Sequence, residues 1–74
     1  FNPRTTIEFS LPKRAFVNLT IYNMLGQEVK TLISGELNEG IHKINWNAEV
    51  PSGIYFYRLT ANNFVETKKM LLMK

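Results

Sequence analysis

The sequence predicts an all-β fold, a small antiparallel β-sandwich, on three observations. Apolar residues recur at every second position in segment after segment, whereas the i, i+3, i+4 spacing of an amphipathic helix is never sustained over two turns. Gly, Pro and Asn interrupt these segments at intervals of about 8–12 residues, the spacing of short strands joined by turns. The 74 residues are 45% hydrophobic and 12% aromatic, the composition of a packed core rather than of a disordered tail. A closed six-stranded barrel would need a small inward face. These faces carry Phe, Tyr and Trp, so a sandwich fits better than a barrel.

Six strands follow in order. The first places Ile7, Phe9 and Leu11 on one face with Glu8 and Ser10 on the other; it is entered from Asn2-Pro3 and stopped by Pro12-Lys13-Arg14. In the second, Val17, Leu19 and Ile21 alternate with Asn18, Thr20 and Tyr22. Gly26, within Met24-Leu25-Gly26-Gln27, supplies the positive φ that a hairpin needs, and residues 28–33 return as the third strand. Ser34-Gly35 and Asn38-Glu39-Gly40 read as loop. His42, Ile44 and Trp46 form one face of the fourth strand, opposite Lys43 and Asn45. Pro51-Ser52-Gly53 opens the fifth, residues 54–61, where Ile54, Tyr55, Phe56 and Tyr57 run together, as in a strand covered on both faces. Asn62-Asn63 forms a two-residue turn, since Asn tolerates left-handed backbone. Residues 64–73 then run back with Tyr57 opposite Lys68 and Tyr55 opposite Met70. The expected core is led by Val17, Leu19, Ile21, Ile44 and Trp46.

Charge is distributed unevenly. Ahead of residue 68, six basic residues (Arg4, Lys13, Arg14, Lys30, Lys43 and Arg58) balance six glutamates (Glu8, Glu28, Glu36, Glu39, Glu49 and Glu66). The net charge of +3 therefore resides in Lys68, Lys69 and Lys74, which bracket the apolar run Met70, Leu71, Leu72, Met73. Such a segment is either the last strand of the fold or an address read by other machinery. Scattered lysines are a poor footprint for nucleic acid despite a pI near 9.5. No apolar stretch approaches the roughly 20 residues of a membrane-spanning helix, and no membrane insertion is expected.

Chemistry has little to work with. The chain has one histidine, no cysteine and no aspartate, and no serine lies beside a base, so no enzyme, cofactor or metal site is expected. His42 shares a face with Ile44 and Trp46, which suits a structural role at the core margin. Trp46, Tyr55, Tyr57 and Phe64 would stack on carbohydrate if exposed in a row, but a sandwich this small needs its large side chains inside. Asn18-Leu19-Thr20 matches the glycosylation sequon but lies within a strand rather than a loop.

Taken in order, these segments resemble one family: Asn2-Pro3, Thr5-Thr6-Ile7, Leu11-Pro12, the run from Val17 through Tyr22 to Asn23, Leu25-Gly26-Gln27-Glu28-Val29, Gly40 through Trp46, Ser52-Gly53-Ile54-Tyr55-Phe56-Tyr57-Arg58-Leu59, and Lys68-Lys69-Met70 with its apolar tail. The chain looks like the C-terminal sorting domain of type IX secretion substrates from Bacteroidetes-related bacteria. That resemblance covers essentially the whole chain. It implies an immunoglobulin-like sandwich of seven strands, one more than the residues themselves indicate. It also implies that residues 1–74 are a single sorting domain from a larger secreted protein whose cargo precedes Phe1.

Its implied partners are the outer-membrane translocon and a sortase-like surface peptidase, and its implied destination is the cell surface or medium after transit through the periplasm. The elements expected to be recognised are Lys68, Lys69, Met70, Leu71, Leu72, Met73 and Lys74, with Gly53 and Tyr55 on the neighbouring strand. The family's usual Tyr-Pro-Asn-Pro segment does not appear in the chain. A related immunoglobulin-like domain of flagellar hook-capping proteins carries a longer Asp- and Gly-rich loop after the tryptophan than residues 47–51 provide. Two structural alternatives remain open: self-association of exposed edge strands into a surface polymer, and a passive spacer.

Overall fold

The computed structural model describes residues 4–47 and 50–72. They form six strands: β1 (Arg4–Leu11), β2 (Ala15–Asn23), β3 (Glu28–Leu37), β4 (Gly40–Asn47), β5 (Gly53–Ala61) and β6 (Phe64–Leu72). β1 and β4 make a two-stranded antiparallel sheet. The other sheet has the order β3-β2-β5-β6, also antiparallel throughout. This is the arrangement of immunoglobulin strands B–E opposite C′–C–F–G. A seventh strand is not present among the described residues.

The alternation anticipated from sequence sets the core. Val17, Leu19 and Ile21 are fully buried because β2 is paired on both edges and backs onto the second sheet. They pack in one cluster with Leu59, Ala61 and Tyr55 of β5 and with Leu72 of β6. Ile7, Phe9 and Leu11 of β1 and Trp46 of β4 complete it from the opposite layer. Ile44 departs from expectation. It is half-buried, because it lines an open groove between β3 and β4 together with Val29, Leu32 and Val50.

Two other expectations are corrected. Ser34 and Gly35 are not loop: they pair with Asn18 and Val17, so β3 continues to Leu37. Glycine accepts extended backbone as readily as a turn, and two register shifts, at Leu19/Thr20 and Ile21/Tyr22, let the longer strand follow β2. The run Ile54-Tyr55-Phe56-Tyr57 is not covered on both faces. Tyr55 is buried and Tyr57 half-buried on the inner side, while Ile54 and Phe56 lie half-buried on the outer side, over which none of the described residues forms a layer.

The turns rest on particular side chains. Asn23 organises the β2–β3 turn: its Oδ1 accepts from the backbone N–H groups of Leu25 (2.9 Å) and Gln27 (3.0 Å), and its Nδ2 donates to Gln27 Oε1 (2.9 Å). Gly26 supplies the left-handed residue there, with φ 81°. The β5–β6 turn has the expected register, Ala61 opposite Phe64, Leu59 opposite Glu66 and Tyr57 opposite Lys68. Asn62 takes φ 55° and is the one non-glycine residue with positive φ among those described. Asn62→Val is therefore expected to cost about 1–2 kcal/mol, the left-handed penalty that a β-branched residue pays in full. Asn62→Gly should be close to neutral. Paired denaturant titrations of the two variants check this; equal stabilities would refute the left-handed turn.

Candidate recognition strand at the sheet edge

β6 lies at the edge of the four-stranded sheet. It pairs with β5 over nine consecutive positions, from Ala61 opposite Phe64 to Gly53 opposite Leu72, without a register shift. Residues 68–72 of the terminal motif thus belong to a strand of the fold, with Gly53 and Tyr55 on the strand beside them. Gly53 faces Leu72 and Tyr55 faces Met70. Tyr55 is 7% exposed, and its hydroxyl donates to the Pro51 carbonyl at 2.8 Å, tying the start of β5 to the segment before it. Met73 and Lys74 lie outside the described residues.

Strand alternation divides the motif. Met70 and Leu72 point inward: Leu72 is buried and Met70 packs against the core, which anchors the strand. Leu71 points outward and is 67% exposed. Lys68 and Lys69 fall on opposite faces, Lys68 opposite Tyr57 and Lys69 opposite Phe56. They make no single basic patch. Lys68 instead lies 4.0 Å from the Glu66 carboxylate on its own face, an exposed contact of little energetic weight.

Backbone parity adds what the side-chain reading missed. In a hairpin with a two-residue turn, the pair flanking the turn exchanges both hydrogen bonds, and hydrogen-bonded pairs then alternate along the ladder. Phe64, Glu66, Lys68, Met70 and Leu72 therefore direct their N–H and C=O groups at β5. Val65, Thr67, Lys69 and Leu71 direct theirs at the open edge. Val65 and Thr67 belong to this edge although they precede the basic-apolar motif. The Asn62-Asn63 turn was the signal that could have found them. At the opposite edge of the sheet, β3 is interrupted by its two register shifts, which blunt an edge against pairing.

The remaining candidates take structural places. His42 stacks on Phe9, with ring centroids 5.5 Å apart, and its Nε2 lies 2.7 Å from the Asn38 carbonyl. Trp46 and Tyr55 are buried and Tyr57 is half-buried, so with Phe64 they do not form an exposed row. Among the described residues, no three histidine or acidic side chains converge.

Residues 2–73 match the family model described as a secretion system C-terminal sorting domain. No curated protein and no solved structure is matched by the chain.

Proposed function

The chain belongs to the family of type IX secretion C-terminal sorting domains, and from that premise we propose that it routes a covalently attached, N-terminal cargo through the outer-membrane translocon by presenting the edge of β6. The family marks its carrier as a secreted or cell-surface protein. The observation that carries the edge reading is the nine-residue, unshifted pairing of β6, which leaves its other side available for strand addition. Lys69 and Leu71 are presented on that edge, and Lys68, Met70 and Leu72 fix its register against Tyr57, Tyr55 and Gly53. Met73 and Lys74 continue the motif. In this reading a sortase-like surface peptidase acts on the cargo junction once the domain has been recognised, with transit through the periplasm beforehand.

The test is a periplasmic reporter fused ahead of residues 1–74 in a bacterium with type IX secretion. The fusion is expected to reach the surface or medium, and the same fusion lacking residues 68–74 is expected to stay in the periplasm. Periplasmic retention of the intact fusion would overturn the sorting role. Because the truncation also removes Met70 and Leu72 from the core, it cannot separate address from scaffold; single substitutions on the edge do that. Concentration-dependent assembly of the purified chain, seen by size exclusion or negative-stain microscopy, would favour self-association of edges instead.

A further inference from the structure

The outer face of the four-stranded sheet is a second surface that the edge does not explain. Register places its side chains in rows. Tyr22, Phe56 and Lys69 lie side by side across β2, β5 and β6; Thr20, Arg58 and Thr67 form the next row; Ile54 and Leu71 form the row beyond Phe56. Phe56 is thus flanked by aromatic and aliphatic neighbours, with a cation across from it and another one row away.

The burial pattern distinguishes this face from an ordinary solvated one. Thr20 is 8% exposed although none of the described residues forms a layer over it, so its neighbours on the face must screen it. Its hydroxyl lies 3.5 Å from that of Thr31 on β3. Tyr22, Ile54 and Phe56 are half-buried by the same packing, while Leu71 stands 67% exposed. The outer face of the β1–β4 sheet is different in kind, because it closes its own polar groups. There the Thr6 hydroxyl donates to Asn45 Oδ1 at 2.7 Å, and Lys43 lies 3.6 Å from Glu8.

Charge selects the occupant. Among the described residues neither Arg58 nor Lys69 has a carboxylate partner, and Glu36 is already engaged by Arg14 near the other end of β2. Glu28, opposite Tyr22 on β3, is the acidic residue at the margin of the rows, leaving the β5–β6 side positive. We propose that this face is a docking surface for a protein of the export machinery that presents an apolar centre rimmed by carboxylates. This inference rests on the sorting role but not on recognition of the β6 edge. An aromatic centre with adjacent arginine is the composition that concentrates binding energy at interfaces, and the cations set orientation and encounter rate. A second copy presents the same positive excess and is the poorer fit.

Phe56→Thr and Arg58→Glu test the proposal, because neither residue belongs to the terminal motif or contributes backbone to the β6 edge. Both are introduced into the reporter fusion, and export is measured beside the thermal melting of the purified chains. The expected result is melting close to that of the unsubstituted chain and export reduced about tenfold or more for each variant, with Arg58→Lys retaining most of it. Should Phe56→Thr melt early, Arg58→Glu, at an exposed position, decides alone. Folded variants exported at the unsubstituted rate would overturn the docking face while leaving the sorting role intact. Retention of the unsubstituted fusion would overturn both. Binding of the chain to vesicles of phosphatidylcholine and phosphatidylglycerol, lost in Arg58→Glu, would assign the face to a lipid surface and overturn a protein partner. A dimer of the purified chain that either substitution dissociates would assign it to self-association, with the same consequence.

Discussion

Leu19→Ala is expected to lower the stability of the chain by about 2–5 kcal/mol. Leu19 is fully buried at the centre of β2, opposite Ile33 on one side and Leu59 on the other. Truncating a leucine in such a site costs about 2–5 kcal/mol, because the transfer energy is lost and a cavity remains. A folded chain of 74 residues has a total stability of about 4–11 kcal/mol. The substitution thus removes a large share of the total. Urea titration followed by Trp46 fluorescence measures it, since Trp46 is buried in the same cluster and should report loss of the core. A midpoint unchanged from that of the parent chain would contradict the arrangement of the two sheets around β2. The consequence extends to the proposed function, because an edge offered for recognition would be lost when the sheet holding that strand melts.

The order of the strands and most of their faces were legible in the sequence because period-2 alternation is strongest where one face meets a core and the other meets water. Val17, Leu19 and Ile21 satisfy that condition and behave as read. The β5–β6 register was also legible, since a two-residue turn at Asn62-Asn63 fixes every later pair. Gly35 was misread because glycine signals a turn and tolerates a strand with equal ease. Ile44 was misread because alternation reports which side a residue faces and not how wide the opposing layer is. A two-stranded sheet leaves a groove beside β3 that the pattern cannot reveal.

The terminal motif reads in the sequence as one contiguous unit, whereas the structure divides its described residues between two faces. Lys68, Lys69 and the four apolar residues after them are contiguous in sequence, yet a strand sends successive side chains to opposite faces. Met70 and Leu72 become core, and Lys69 and Leu71 become surface. The outer face around Phe56 was hidden for a related reason. Ile54-Tyr55-Phe56-Tyr57 reads as a strand buried twice, and sequence alone does not say that the second layer is missing. What unites the two candidate surfaces is β6 itself, whose outward residues contribute both to the open edge and to the rows beside Phe56.

Thr67→Pro is expected to abolish export while leaving the fold in place. Thr67 lies opposite Arg58 in the middle of β6, and by the parity of the hairpin its N–H points to the open edge. Proline there removes one edge donor and sets a ring against any incoming strand, and edge strands tolerate proline when the lost N–H faces solvent. Lys68→Pro is the counterpart one residue along. Its N–H belongs to the pair with Tyr57, so proline breaks the β5–β6 ladder and leaves a carbonyl without its donor, at a cost of about 1–3 kcal/mol. The pair of variants therefore separates address from scaffold, which deletion of the motif cannot do. Melting curves should show Thr67→Pro close to the parent chain and Lys68→Pro clearly below it. Reporter export should fall in both, in the first for want of a pairing edge and in the second for want of a stable sheet. If Thr67→Pro folds and its reporter reaches the surface at the parent rate, the machinery does not read β6 by backbone pairing, and recognition must come from side chains, including those on the face around Phe56.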